Sequence, residues 1–167
     1  MPQEPKKFNN PKLITLKQAV EERKALRRRG QQLVLTNGCF DLLHCGHLFS
    51  LQQASIQGDV LWVALNADVS VKALKGNNRP LMKEDERAYM LAGLECVHRI
   101  LLFESERLDR EIRLLQPDFY AKYSGYSLES LDKQERQALE EVGTKICFVD
   151  AVEGYSTTEL IKRIKKL

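Results

Sequence analysis

The sequence predicts an α/β fold in which five parallel strands form one sheet and helices cover both of its faces. Short apolar runs of strand length alternate along the chain with segments of helical periodicity, and this alternation is typical of parallel sheets. Polar clusters follow four of the predicted strands, after Thr36, Leu65, Ala121 and Asp150. Because ligands of such sheets bind beyond the carboxyl ends of the strands, we predict a Rossmann-like, doubly wound sheet with its functional site at that edge.

The individual elements are predicted from hydrophobic periodicity and from capping and turn residues. Thr15 and Gln18 fit a capping box that begins a first helix, which ends near Arg29, before Gly30. Strands are predicted over residues 33–36, 60–65, 100–103, 118–121 and 145–149. Further helices are predicted over residues 46–57, 84–95, 107–115 and 131–142 and from Ser156 onward. Residues 69–80 are predicted as a loop with short helical character.

The length and composition predict a single globular domain. The chain has 167 residues, of which 43% are hydrophobic and 29% charged, and its formal net charge is +3. Residues 1–12 contain three prolines and few apolar side chains, so we expect a loose tail there and one domain over residues 13–167. The small net charge argues against a nucleic-acid partner. The alternative interpretation, a nucleic-acid-binding module, is supported only by the basic termini.

The sequence carries no sign of export or of membrane insertion. No apolar run approaches the ~20 residues of a membrane span, and the N-terminal stretch MPQEPKKFNNPK lacks the apolar core of a signal peptide. The four cysteines form no C-x-x-C pair. We therefore expect a reduced, cytoplasmic protein without a membrane partner.

The stretch LVLTNGCFDLLHCGHLFSL, residues 33–51, predicts a phosphate site. An apolar strand ends at Thr36-Asn37-Gly38, and a helix begins near Gly46. A helix N-terminus offers unpaired N–H groups and partial positive charge, and glycines permit close approach of a phosphate. His44 and His47, three residues apart at this helix start, converge on one side and can donate hydrogen bonds to phosphate oxygens. A lone loop histidine is ordinarily structural, but this pair favours a nucleoside triphosphate site.

The same stretch permits a zinc interpretation, which its spacing disfavours. Cys39, His44, Cys45 and His47 are potential ligands within nine residues. Structural zinc sites use ligand pairs separated by two to four residues, with a longer loop between the pairs. The adjacent His44 and Cys45 would point apart, and the sequence offers no second group of ligands. We therefore predict no metal site formed by protein ligands.

Two widely separated stretches resemble the signatures of the cytidylyltransferase-like nucleotidyltransferases. NGCFDLLHCGH at residues 37–47 resembles the first signature, and EGYSTTELI at residues 153–161 resembles the second. NADVSVKALKGNNRP at residues 66–80 adds to the likeness, which extends from about Thr15 to Lys166. Within this family, the sequence is most similar to the adenylyltransferases that form ADP-heptose from heptose 1-phosphate for lipopolysaccharide core synthesis.

The resemblance implies that an oxygen of a sugar phosphate attacks the α-phosphorus of ATP and that pyrophosphate leaves. Because this nucleophile is already anionic, the protein needs to position the substrates and neutralise charge rather than supply a base. The family implies a catalytic role for His44, His47, Lys72 and Lys75. It implies nucleotide binding by Thr36, Asn37, Gly38, Phe40, Asn66, Asp68, Arg79, Ser156, Thr157 and Thr158, and acceptor binding by Lys122 and Tyr126. It also implies Mg²⁺ held mainly by phosphate and water, small-molecule substrates and a homodimer.

Local patterns leave structural roles open for several of these residues. Ser156 and Glu159 fit a capping box, and Asp41 and Asp68 fit caps. Lys72 and Lys75 also fit a solvated helix face, and Phe40 fits a core position.

The identities of the acceptor and the base stay open. Where relatives have Lys-Gly-Gly-Asp-Tyr, this chain has KYSGY at residues 122–126, so the acidic residue of the acceptor loop is absent. The alternatives are a CTP-dependent cytidylyltransferase acting on glycerol 3-phosphate or a similar acceptor, and a non-catalytic nucleotide-binding protein.

Overall fold

The computed structural model describes residues 8–123, 125, 127–150, 152 and 154–167. Within them, the strands are β1 (Leu33–Gly38), β2 (Val60–Asn66), β3 (Arg99–Phe103), β4 (Phe119–Tyr123) and β5 (Lys145–Val149). The helices are α1 (Leu16–Arg28), α2 (Cys45–Ser55), α3 (Asp68–Lys75), α4 (Glu84–Ala92), α5 (Asp109–Leu115), α6 (Lys133–Val142) and α7 (Thr157–Ile164). None of these helices, all in the described part of the chain, is long and apolar enough to cross a membrane.

The five strands form one parallel sheet in the order β3-β2-β1-β4-β5. The chain builds outward from β1 to β3 on one side and then places β4 and β5 on the other, so the order reverses between β1 and β4. β1 pairs with β2 over six residue pairs but with β4 over only two, ending at Leu35 and Tyr120. The predicted doubly wound parallel sheet is confirmed, and its switch point lies between β1 and β4.

Apolar side chains pack on both faces of the sheet, because successive residues of a strand point to opposite sides. Leu33 and Leu35 join a core cluster with side chains of α1, α5 and α6. Val34, between them, joins a second cluster with side chains of α2 and α4. The continuous apolar run of β1 thus belongs to a strand covered on both faces.

The boundaries of several elements differ from the predicted ones. β1 continues to Gly38 because Asn37 and Gly38 still pair with Ala64 and Leu65 of β2, so the ladder extends beyond the apolar run. The segment predicted as a loop contains the eight-residue helix α3, which ends at Gly76 with a φ of 90°. α4 ends at Ala92, three residues before the predicted end at Glu95. The capping box of Thr15 and Gln18 is confirmed.

The residues before α1 contact the outer edge of β3. Ile14 N donates to the Ile100 carbonyl at 2.9 Å, and Ile100 N donates to the Lys12 carbonyl at 2.8 Å. The Phe8 ring stacks on Tyr89, with the ring centroids 4.6 Å apart. Residues 1–7 lie outside the described residues, and the division into a loose tail and one domain stays a prediction.

Leu35→Ala should lower the free energy of unfolding by about 2–5 kcal/mol, because it leaves a cavity in a core where Leu35 is 0% exposed. Leu114→Ala is the matched control, since Leu114 is 46% exposed and its truncation should cost less than about 0.5 kcal/mol. Urea unfolding of both variants measures the difference. Equal losses would contradict the assignment of Leu35 to the core.

Candidate nucleotide-binding site

His44 and His47 lie together at the start of α2. His44 is the N-cap residue of α2, and His47 N donates to its Nδ1 at 3.4 Å. The two imidazole rings stack, with centroids 3.8 Å apart and an interplanar angle of 23°. A Cβ atom at Gly46 would lie 3.0 Å from His44 Nδ1, so a side chain at this position would crowd the His44 ring. The predicted convergence of the two histidines is therefore present in the structure.

Each imidazole has a ring nitrogen to which an anion could bind. His44 Nε2 and His47 Nδ1 are buried and have no hydrogen-bond partner among the described residues. The pKa of His47 is lowered to about 4, chiefly by burial and also by the neighbouring His44 and Lys75, while a hydrogen bond with the Leu42 backbone acts in the opposite direction. Burial also lowers the pKa of His44. The pair is thus neutral near pH 7 until a negative charge approaches.

The start of α7 lies against the first turn of α2. A Cβ atom at Gly46 would come within 3.1 Å of Tyr155 Cβ, and Ser50 Oγ donates to the Asp150 carbonyl at 3.3 Å. Ser156 is the N-cap residue of α7, and its Oγ accepts from Glu159 N at 3.1 Å. Two helix N-termini and two imidazoles therefore meet at one place, which is the arrangement that favours a phosphate group.

Gly38 and Phe40 form the turn that leaves β1. Phe40 has a φ of 45° and is 4% exposed, and its ring centroid is 5.2 Å from that of His47. A Cβ atom at Gly38 would lie 2.9 Å from Phe40 Cε2, which explains the glycine. Phe40 thus packs in the core next to His47, in agreement with the core position predicted as the alternative to nucleotide binding.

Asp41 holds a segment that is distant in the sequence. Its Oδ1 accepts from Leu81 N at 2.7 Å and from Met82 N at 2.9 Å, and its Oδ2 accepts from Arg79 Nε. The role of Asp41 is structural, but it does not cap the turn that follows it. Arg79, predicted to reach phosphate, is fixed by this ion pair, and its Nη2 is buried without a partner among the described residues.

Arg87 connects three segments at the carboxyl edge of the sheet, and sequence reasoning missed it. Its guanidinium donates to the Cys39 carbonyl at 2.6 Å, to Asp68 Oδ1 at 2.9 Å and to the Met82 carbonyl at 3.0 Å. Asp68 is the first residue of α3, whose N-cap is Ala67, so the capping alternative for Asp68 is wrong. The available signal was the position of Arg87 four residues before Leu91, on the buried face of α4.

A cavity of about 500 Å³ opens beside the carboxyl end of β1, near the starts of α5 and α6. It is lined by Asn37, Gly38, Cys39, Asn66, Leu74, Lys75, Glu106, Arg107, Lys122, Tyr123, Ser130, Leu131, Asp132 and Glu135. Lys122 Nζ donates to Asn37 Oδ1 at 2.6 Å. Burial lowers the pKa of Lys122, and Glu135 opposes this effect. The cavity thus combines cationic and carboxylate side chains.

The other predicted site residues have different positions in the structure. Lys72 is exposed and does not line the cavity. The Thr36 hydroxyl donates to the Ala121 carbonyl at 2.9 Å and so joins β1 to β4. Thr157 and Thr158 lie in the first turn of α7, and Tyr126 lies outside the described residues. Asn66 lines the cavity, and its Nδ2 donates to Ser70 Oγ.

The described residues contain no group of three or more His, Cys, Asp or Glu side chains that could hold a metal ion. The four potential zinc ligands of the first motif include Cys45, which is exposed.

Comparison with known proteins places the chain in a family. Residues 35–163 match the cytidylyltransferase-like family. The bifunctional protein HldE of Geotalea uraniireducens (strain Rf4) is 45% identical over 142 residues, which are 85% of this chain and 29% of that protein. The bifunctional protein HldE of Helicobacter pylori (strain HPAG1) is 40% identical over 157 residues, 94% of this chain and 32% of that protein. The chain thus spans about a third of the length of these relatives.

Two solved structures share the fold. The lipopolysaccharide core biosynthesis protein from Thermoplasma volcanium GSS1 has a TM-score of 0.59 at 24% identity, covering 76% of this chain and all of that one. Pantoate-β-alanine ligase from Francisella tularensis has a TM-score of 0.57 at 13% identity, covering 93% of this chain and 78% of that one. With the two signatures, the histidine pair and the family match over residues 35–163, the chain belongs to the cytidylyltransferase-like family of nucleotidyltransferases.

Proposed function

We propose that the protein transfers the adenylyl group of ATP to heptose 1-phosphate, forming ADP-heptose and releasing pyrophosphate. The observation that carries the proposal is the stacked His44–His47 pair at the start of α2, beside the start of α7. The similarity to two HldE proteins and to a lipopolysaccharide core biosynthesis protein supports heptose as the sugar. We place the protein in the cytoplasm, as a homodimer.

The imidazoles would bind the triphosphate and stabilise the departing pyrophosphate. His44 Nε2 and His47 Nδ1 have no partner among the described residues, so a phosphate oxygen would satisfy buried polar atoms. The N–H groups at the start of α7, next to Ser156, would add further donors. Because negative charge grows on the leaving group, donors fixed before the reaction stabilise the transition state more than the ground state.

Magnesium fits this site only as a companion of the triphosphate. The described residues supply no cluster of ligands, and the Asp41 carboxylate is already engaged by Arg79 and two backbone N–H groups. Mg²⁺ commonly keeps several waters and binds through substrate phosphates. When bound, it would neutralise phosphate charge.

The acceptor would bind in the cavity beside β1. Its volume of about 500 Å³ lies within the usual range for small-molecule sites. Lys122 and Lys75 would meet the phosphate of the acceptor, and the carboxylates of Glu106 and Asp132 lie on the same lining, where sugar hydroxyls can donate to them. Asn37 and Gly38 at the end of β1 line this cavity, and Lys75 of the same lining acts on the charge of His47, so the acceptor phosphate and the triphosphate would meet over the end of β1.

Pyrophosphate release from each pairing of ATP, CTP, GTP or UTP with heptose 1-phosphate or glycerol 3-phosphate, in the presence of Mg²⁺, tests the proposal. We expect turnover with ATP and heptose 1-phosphate. Turnover only with CTP and glycerol 3-phosphate would identify a cytidylyltransferase instead. Tight binding of ATP without pyrophosphate from any acceptor would identify a nucleotide-binding protein.

His47→Ala should lower kcat by about 10²–10³, the usual effect of removing one donor that stabilises transition-state charge. His98→Asn is the control, because His98 Nδ1 accepts from Leu61 N at 3.1 Å, outside the proposed site, and asparagine retains an acceptor there. Steady-state pyrophosphate release at saturating substrates measures both variants. A loss smaller than threefold in His47→Ala would refute the catalytic assignment.

Binding of ATP should be accompanied by proton uptake at His47. The pKa of His47 is lowered to about 4 without ligand, so the ring is neutral at pH 6, and nearby phosphate oxygens favour its charged form. Because the complex then holds more protons than the free protein, affinity for ATP should fall as the pH rises through the interval between the two pKa values. Calorimetric titration at pH 6 in buffers of different ionisation enthalpy measures the uptake.

His47→Asn is the comparison for this measurement, since the protons that ATP itself exchanges are the same for both proteins. The wild-type protein should take up more protons per ATP than the variant. Identical proton counts would show that His47 does not become charged in the complex.

A further inference from the structure

Glu135 is a buried acidic residue that belongs to neither of the two sequence signatures. It lies in α6, is 5% exposed, and lines the cavity beside β1. Its Oε1 accepts from Leu108 N at 2.9 Å, and its Oε2 lies 3.4 Å from the Tyr120 hydroxyl. A carboxylate removed from water requires hydrogen bonds and a compensating charge. The cation nearest to it is Lys122, whose Nζ is 4.0 Å from Glu135 Oε2.

On the same cavity lining, Lys122 lies close to Asn37, Tyr120 and Glu135. Its Nζ donates to Asn37 Oδ1 at 2.6 Å and lies 5.3 Å from the centroid of the Tyr120 ring. The Tyr120 hydroxyl lies 2.9 Å from Asn37 Oδ1. Since the single hydroxyl proton can go to Asn37 or to Glu135, these four side chains form one coupled network.

We propose that Glu135 is a positioning residue, which keeps the Lys122 ammonium charged at the cavity wall, where Asn37 holds it, so that it can bind the phosphate of the acceptor. This inference rests on the proposed function, because it assigns the acceptor to this cavity. Glu135 acts through Lys122, and it lies on a different element from any residue of the nucleotide site.

The physical reason is the balance between burial and charge pairing. Burial favours the neutral form of Lys122 and lowers its pKa, whereas the carboxylate of Glu135 raises it. The short hydrogen bond goes to the neutral Asn37, while the carboxylate stands 4.0 Å away. Lys122 thus gains charge stabilisation from Glu135 without being held by it in a close ion pair.

The other charged or titratable groups near Lys122 come from several elements. The Cys39 thiol, after β1, also favours the charged form of Lys122. Lys75 of α3 and Glu106, Arg107 and Asp132 of the adjoining loops line the same cavity. Arg107 Nε donates to Asp132 Oδ2 at 2.9 Å, so these two charges largely offset each other. Glu135 is therefore the carboxylate paired with Lys122.

A purely structural role for Glu135 makes a different prediction. Leu108 precedes the first residue of α5, and Glu135 Oε1 accepts its N–H, so Glu135 also holds the start of this helix. Glu135→Gln keeps an oxygen that can accept from Leu108 N but removes the negative charge. Glu140→Gln is the matched control, because Glu140 is on the same helix with a 61% exposed side chain paired to Arg136.

The first measurement is the titration of the Lys122 side chain by NMR of lysine-labelled full-length protein, assigned by loss of the signal in Lys122→Met. Without the carboxylate, the effect of burial is opposed less strongly, so Lys122 should lose its proton at a lower pH in Glu135→Gln than in the wild type. Glu140→Gln should leave the midpoint unchanged. A midpoint that is unchanged or higher in Glu135→Gln would overturn the proposal.

The second measurement is steady-state kinetics at pH 8. We expect KM for the sugar phosphate to rise about tenfold in Glu135→Gln, a coupling of ordinary size for contacting residues, while KM for ATP stays unchanged. The alkaline limb of the acceptor profile should move to lower pH. An equal rise in KM for ATP would point to general damage and against a positioning role.

The two hypotheses can fail separately. If the wild-type protein turned over no sugar phosphate, the proposed function would fail, whereas the Lys122 titration would still test Glu135. If Glu135→Gln did not fold, Glu135→Asp would replace it. The shorter side chain draws the carboxylate away from Lys122. The titration midpoint of Lys122 should therefore fall in Glu135→Asp, but by less than in Glu135→Gln. An unchanged midpoint in that variant would overturn the proposal equally.

Discussion

The early separation of β1 and β4 is the constraint on which the site depends. These neighbouring strands share two residue pairs, after which the Thr36 hydroxyl bonds to the Ala121 carbonyl. The side chain thus replaces a backbone contact and lets the strands diverge without leaving a buried carbonyl unsatisfied. The crevice at the switch point lies beside the turn that leaves β1. Phe40 of this turn contacts His47, and Asn37, Gly38 and Cys39 line the cavity with Lys122.

Buried charged side chains fix the loops around this crevice. Asp41 binds Arg79 and the backbone of residues 81 and 82, and Arg87 joins the turn after β1 to the start of α3 and to Met82. Removing one partner from a buried pair typically costs about 3–5 kcal/mol. These contacts hold the loops in one arrangement, which suits a reaction that requires positioned charges and no protein nucleophile.

The sequence predicted those features that depend on neighbouring residues. The strands of the sheet follow from apolar runs, the histidine pair from its three-residue spacing, and the Ser156 cap from local pattern. The missed features join residues that are distant in the chain. Arg79 and Asp41 are 38 positions apart, and Arg87 and Asp68 are 19 apart. No periodicity links such pairs, so only the fold reveals that Asp41 holds a later segment and that Glu135 faces Lys122. The family signatures supplied the proposed nucleotide site. For the distant contacts, the local sign was a charged residue on the inner face of α4 or α6.

The helix α7 has no buried residue along its length, and Tyr155, which precedes its N-cap, lies against Gly46 of α2. A helix with so little burial opens at low free-energy cost. An anion bound at both helix starts adds its binding free energy to the closed arrangement. Exchange of the amide protons of α7 with solvent would then be slower in the protein with an occupied site than in the free protein.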